Sequence, residues 1–245
     1  QAFDRTRPLM EGLRDTAARV PAMHGIWWAT LVRGDMHSAR ELATRTLALA
    51  DKRSDDRLRF AGNAALGITL VHTGEMASAQ RHLLLALEHH GRDHASLPPA
   101  MFSFEPGSQL LSYLAMSLWA QGQPSDARRR IDAALARAHG LGHPMTRIFA
   151  LHIAAMLCAF ADDHAGARDT IEQALRLIDE QRLERASGSF RWMLGGALAA
   201  LGEVEVGLEM MQEGRRLQVQ HGLRYGLPRW HLNCASVCLA ADRID

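Results

Sequence analysis

Apolar and small residues return along this chain at fixed distances from a recurring turn. Aligned on that turn, the sequence gives Gly34-Asp35 with Ala39, Gly74-Glu75 with Ala79, Gly122-Gln123 with Ala127, Asp162-Asp163 with Ala167, and Gly202-Glu203 with Gly207. Successive turns lie 40, 48, 40 and 40 residues apart. Four residues beyond the alanine column stand Ala43, Leu83, Ile131, Ile171 and Met211, and seven beyond it stand Thr46, Ala86, Ala134, Ala174 and Gly214. Twelve before it stand Trp27, Gly67, Ala115, Ala155 and Gly195, small in every case except Trp27. Columns that recur together at constant offsets mark a helical hairpin used again and again, a unit that cannot bury its own apolar face and must stack on its neighbours.

The periodicity predicts helices over 18–33, 36–52, 57–73, 76–91, 107–121, 125–139, 145–161, 165–181, 186–201, 205–221 and 228–240. Gly140 and Gly142 before Pro144, Gly222, and Pro228 supply the stop and start signals expected at helix ends. No window sustains the alternation a half-buried strand needs, so the expected fold is all-α: a right-handed α-solenoid of about five hairpins with truncated repeats at both ends. Extrapolating the period makes Gln1 to Leu13 the tail of a second helix and Pro228 to Asp245 a first helix without its mate, an arrangement expected of a fragment. On this reading 1–245 is one repeat domain, and its long interval is an insertion, GRDHASLPPAMFSFEPG over 91–107, between the second and third hairpins. Two prolines and terminal glycines make it an ordered loop, with Phe102 and Phe104 as candidate contact residues.

Composition narrows the function classes. The 28 basic and 27 acidic residues leave a net charge of +1 spread over the chain, which disfavours nucleic acid and anionic membranes as partners. Lys52 is the one lysine and no GxxxxGK[ST] string occurs, so no phosphate-binding P-loop is present. No apolar run approaches the roughly 20 residues of a membrane span. Cys158, Cys234 and Cys238 form no disulfide framework and read as buried thiols of a cytoplasmic protein.

His89, His90 and His94, with Asp93 among them, lack the convergent spacing of a zinc site and read as a solvated helix end, where imidazolium suits the helix dipole. His139 and His143 take the same reading. No GxSxG, GxGxxG or paired-carboxylate arrangement appears, and Ser187 and Ser189 lack the strand-turn-helix context of a nucleophile. The expectation is a segment without catalytic residues, metal or cofactor.

The functional expectation falls on the inner face of the first helices. Positions fifteen, eleven and eight before each hairpin's alanine share one helix face. They give His24, Trp28 and Leu31; Ala64, Ile68 and Val71; Ser112, Met116 and Trp119; His152, Met156 and Ala159; and Trp192, Gly196 and Ala199, with His72 and Phe149 beside them. From this stripe the candidate partner-binding residues are His24, Trp28, Ile68, His72, Ser112, Met116, Trp119, Phe149, His152, Met156 and Trp192. A wall rich in Trp and Met and almost without Lys or Arg suits an apolar peptide or helix. A second reading is a small-molecule pocket near the 91–107 loop, roofed by Phe102, Phe104, Tyr113 and Met116.

The hairpin grammar resembles the tetratricopeptide repeat in a long form of about 40 residues. The strings QAFDRTRPLMEGL, HGIWWATLVRGDMHSARELA, GITLVHTGEMASAQRHL, EPGSQLLSYLAMSLWAQGQPSDARRRIDAAL and LGHPMTRIFALHIAAMLC further resemble the C-terminal repeat region of bacterial multidomain signalling ATPases. In that family an AAA-like signal-transduction NTPase joins these repeats to a class III adenylate/guanylate cyclase, a winged-helix regulator or a protein kinase. The resemblance implies a non-catalytic regulatory or sensor segment that docks a protein, a peptide or its parent's own ATPase and effector domains. Two departures stand out: Asp162 in place of the turn glycine and Gly207 in place of the repeat alanine, which put the packing of the last two hairpins in question.

Overall fold

The computed structural model describes residues 16–92, 104–222 and 227–240. Among them every long element is an α-helix: α1 (Thr16–Val32), α2 (Met36–Arg53), α3 (Asp56–Thr73), α4 (Met76–Arg92), α5 (Pro106–Ala120), α6 (Pro124–Gly140), α7 (Pro144–Phe160), α8 (His164–Glu180), α9 (Ser187–Ala200), α10 (Val204–Gln220) and α11 (Leu227–Ala240), with one 3-10 turn at Glu184–Ala186. These pair as the hairpins α1/α2, α3/α4, α5/α6, α7/α8 and α9/α10, followed by α11, and the fold is an α-solenoid. The chain divides into two compact units, Gln1–Leu141 and Gly142–Asp245.

The helix ends follow from local chemistry. Asp35, Asp55 and Asp163 precede α2, α3 and α8 and accept hydrogen bonds from first-turn amides, while Pro106, Pro124 and Pro144 open α5, α6 and α7, where a missing N–H costs nothing. His143 caps α7, its Nδ1 facing the Thr146 amide at 3.3 Å, so it serves a helix start and not the helix end assigned to it from the sequence. Each first helix stops on a left-handed residue, Gly34, Gly74, Gly122, Asp162 and Gly202, at φ from 57° to 101°. The amide of the next residue reaches back to the last turn, as Glu75 does to the Leu70 carbonyl at 2.9 Å. Asp162 therefore keeps the turn at φ 57°, a conformation its short polar side chain tolerates. Among the described residues a second left-handed series, Ser54, Gly142, Arg182 and Gly222, lies twenty residues after Gly34, Gly122, Asp162 and Gly202 and follows α2, α6, α8 and α10.

The alanine column is the packing axis of each hairpin: Ala39, Ala79, Ala127 and Ala167 are at most 1% exposed. Small residues in the preceding helix receive large ones from its partner. A methyl on Gly67 would lie 2.9 Å from the Leu83 side chain. In α1/α2 the column sizes are exchanged, Trp27 standing where the other hairpins carry a small residue and Ala43 where they carry a large one, with both buried. Trp27 is further anchored by its indole N–H, which donates to the Thr69 hydroxyl on α3 at 3.0 Å.

In the second unit, α9 and α10 approach backbone to backbone. A Cβ on Gly207 would lie 2.5 Å from the Gly195 carbonyl oxygen, and Cβ atoms on Gly195 and Gly214 would meet the facing main chain as well. Glycine at position 207 is thus the requirement of a closer crossing and leaves the packing of this hairpin intact. Restoring the repeat alanine should harm the fold: Gly207→Ala is expected to destabilise by roughly 1–3 kcal/mol through overpacking. Gly25→Ala, where an added methyl meets nothing within 4 Å, should instead stabilise by roughly 0.5–1 kcal/mol. Urea midpoints of the two variants moving in the same direction would contradict this packing.

In the first unit the chain re-enters α5 through a buried charge cluster. The Glu105 carboxylate accepts hydrogen bonds from the Gly107 and Ser108 amides at 3.0 and 2.7 Å and from Arg137 on α6 at 2.7 and 2.8 Å. His90 on α4 places Nε2 3.2 Å from the same carboxylate and stacks on Phe60 at 5.5 Å. His90 is therefore a packed bridging group and not the solvated helix end expected from the sequence. Burial pushes the Glu105 carboxyl up, but the bonds from His90, Arg137 and the Ser108 amide overcome it and hold the group well below the usual carboxylate range. Glu105→Gln should cost roughly 1.5–3 kcal/mol, and a double-mutant cycle with Arg137→Met in thermal denaturation should show strong coupling; additive effects would show that the cluster contributes nothing.

Candidate functional site

The first helices of unit 1 carry the aromatic stripe. Over 20–32, 60–73 and 106–120 they contain no Asp, Glu, Lys or Arg, and residues 60–71 of α3 are buried throughout, so the accessible part of this face comes from α1 and α5. Trp28, Met116 and Trp119 are half-buried. Phe104, at the far end of the insertion, sets its ring edge-on to Trp28 with centroids 5.5 Å apart, which ties the residues leading into α5 to α1. Phe102 lies outside the described residues. His24 packs against Trp27 at 5.2 Å, and His72 meets Tyr113 both as an edge-on ring pair and through a 3.3 Å contact between Nε2 and the phenolic oxygen.

Four of the candidate residues belong to the core. Ile68 and Ser112 are fully buried, Ser112 spending its hydroxyl on the Ser108 carbonyl, and in unit 2 Met156 and Trp192 are 7% and 3% exposed. Trp192 packs against Gly214 at the tight α9/α10 crossing. These four offer a partner no surface. Phe149 and His152 are half-buried, and His152 sets its ring edge-on to Phe190 at 5.4 Å. Of the residues expected to roof a pocket near the insertion, Tyr113 is 4% exposed and Met116 is half-buried, while Phe102 and most of the 91–107 loop lie outside the described residues.

A cavity does open in unit 2, where the small stripe residues Ala159, Gly196 and Ala199 leave room that Trp and Met fill elsewhere. It measures about 360 Å³ and is walled by residues of α7, α8, α9 and α11 and by Val204 at the start of α10. Its lining is mostly small and apolar residues, with Met193 and Phe160; its polar groups are His164 on α8 and, from one face of α11, Arg229, Asn233 and Ser236. The Arg229 guanidinium lies 4.4 Å from the centre of the Phe160 ring. Among the described residues no carboxylate pairs with it. Sequence reasoning missed Arg229 and Asn233 because α11 was read only as an unpaired first helix; the run of small residues at 159, 196 and 199 was the available signal.

Burial holds His24 and His72 near neutrality, with pKa lowered to about 4, and it lowers His152 to about 4 as well, there reinforced by the charge of Arg229. In the unfolded chain these groups titrate near 6.5. Between those values the unfolded state binds more protons, so stability is complete above about pH 6.5 and falls as the pH drops toward 4, by on the order of 1–3 kcal/mol per histidine. Urea midpoints at pH 7.5 and pH 5 should show the loss, and His152→Gln should reduce it. An unchanged difference in that variant would mean His152 is not held neutral.

Neither a protein-family model nor a curated protein sequence matches the chain. Solved structures do match in fold. A crystal structure of the nearly identical TPR-like repeats of a protein described as a kinesin light chain of Podosopora anserina superposes at a TM-score of 0.54 and 19% identity. A single-substitution form of that protein gives 0.56 and 18%, and each alignment covers 84% of this chain and 98% of the other. The fold is therefore a TPR-like helical repeat, reached through a sequence with little residue-level likeness to these structures.

Proposed function

We propose that this chain is a non-catalytic protein-interaction segment that docks an apolar peptide or helix on the first-helix face of unit 1 and regulates the larger cytoplasmic signalling protein its strings resemble. The observation that carries the reading is the uncharged face of α1 and α5, where Trp28, Met116 and Trp119 are half-buried: enough packing to hold their rotamers and enough exposure to contact a partner. Aromatic anchors of this kind concentrate binding energy, and preorganisation limits the entropy lost on association. TPR-like repeats commonly serve protein interaction, which supports the class. The resemblance to signalling ATPases supports the regulatory role, in which a partner biases the parent between resting and active states by its differential affinity for the two.

The face selects the ligand. Panning a displayed peptide library over the protein should enrich sequences with large apolar anchors at helical spacing and little net charge. Trp28→Ala and Trp119→Ala should each weaken the selected peptides about tenfold or more, that is by at least about 1.4 kcal/mol, with the melting transition retained. Trp192→Ala is unsuitable for this purpose, because truncating a core tryptophan costs roughly 3–5 kcal/mol of stability. Enrichment of strongly acidic peptides, or unaltered affinity in both variants, would refute the docking face.

A further inference from the structure

The unit 2 cavity has the makings of a second, independent site. Its volume of about 360 Å³ falls within the roughly 300–1,000 Å³ of ligand pockets. Its walls are largely apolar, with His164 at the start of α8, and three further polar groups converge from α11: Arg229, Asn233 and Ser236 follow one another at four and three residues, so one helix face presents all three. Ser236 turns its hydroxyl to the Leu232 carbonyl at 3.0 Å. Arg229 rests on the Phe160 ring, and neither Arg229 nor Asn233 has a hydrogen-bonding or ionic partner among the described residues. A half-buried guanidinium with no carboxylate among the described residues is incompletely satisfied, and its planar fork suits an oxyanion such as a carboxylate or a phosphate.

We propose that this cavity binds a small monocarboxylic acid with a branched aliphatic or aromatic body, its carboxylate on Arg229 and Asn233 and its body against Ala155, Ala159, Gly196 and Met193. A single cation matches a carboxylate better than a phosphate ester, which carries nearly twice the charge. Burial already disfavours the charge on Arg229, so a bound anion relieves the site as well as filling it. The same anion would offset the field that Arg229 exerts on His152 and raise the pKa of that imidazole. This site is separate from the docking face of unit 1 and does not depend on it.

The test uses the whole chain with phenylacetate and isocaproate as probes, each beside its primary amide, by calorimetry and ligand-observed NMR. Both acids are expected to bind in the high-micromolar to millimolar range, with the amides at least tenfold weaker. Arg229→Met should remove the preference for the acid. Gly196→Leu fills the cavity from a position where an added Cβ meets nothing within 4 Å; it should leave the protein folded and abolish binding of both acids. Imidazole titration by NMR should show the His152 pKa rising when phenylacetate is bound. Absence of binding by both acids, equal affinity for acid and amide, or binding retained in folded Gly196→Leu would each overturn the proposal.

Discussion

The structure depends on one constraint: within each hairpin, two helices must approach closely enough that every facing position is decided by the volume of its opposite number. Protein interiors are close-packed, so a change of one methylene is felt across such a contact. This is why the alanine column is buried almost without exposure. It is also why a large residue in one column goes with a small one in the other, as Gly67 does with Leu83 and, with the order exchanged, Trp27 with Ala43. Where both columns are reduced together, as at Gly195, Gly207 and Gly214, the helices close until main chain faces main chain. The apparent defect in the last hairpin is a tighter solution to the same problem.

Much of this was legible in the sequence because its causes are local. Every predicted helix is present, with ends displaced by no more than two residues, since Gly before an acidic or polar residue fixes the left-handed turn and Asp or Pro marks the next helix start. Among the described residues, the second turn of a repeat was less legible. It uses the same left-handed backbone, but Ser54 and Arg182 occupy positions where glycine would have announced it. The Glu105 cluster was invisible for a different reason: His90, Glu105 and Arg137 come from three separate helices, and only the folded hairpins bring them together.

The candidate site was legible only as a set of helix faces. Spacing by three and four residues places side chains on one side of a helix, but depth is set by the neighbouring helix, whose distance the sequence does not carry. Trp119 and Trp192 share the expectation and differ in fate: the first remains half-buried, whereas the second packs against Gly214 at the α9/α10 crossing. Ser112 shows the same limit for a polar residue. Its hydroxyl is satisfied one turn back by the Ser108 carbonyl, so burial costs it little and no surface role is left.

Electrostatics separates the two units' inner faces. In unit 1 the face carries no ionised side chain, and its histidines are kept neutral by burial. In unit 2 the smaller residues at 159, 196 and 199 hollow the corresponding face, and α11 sets a cation against that hollow. Arg229 there rests on an aromatic ring, and burial first and its charge second lower the pKa of His152. One repeat grammar thus carries two differently lined faces, because the columns that fix the hairpin leave the first-helix stripe positions free to vary.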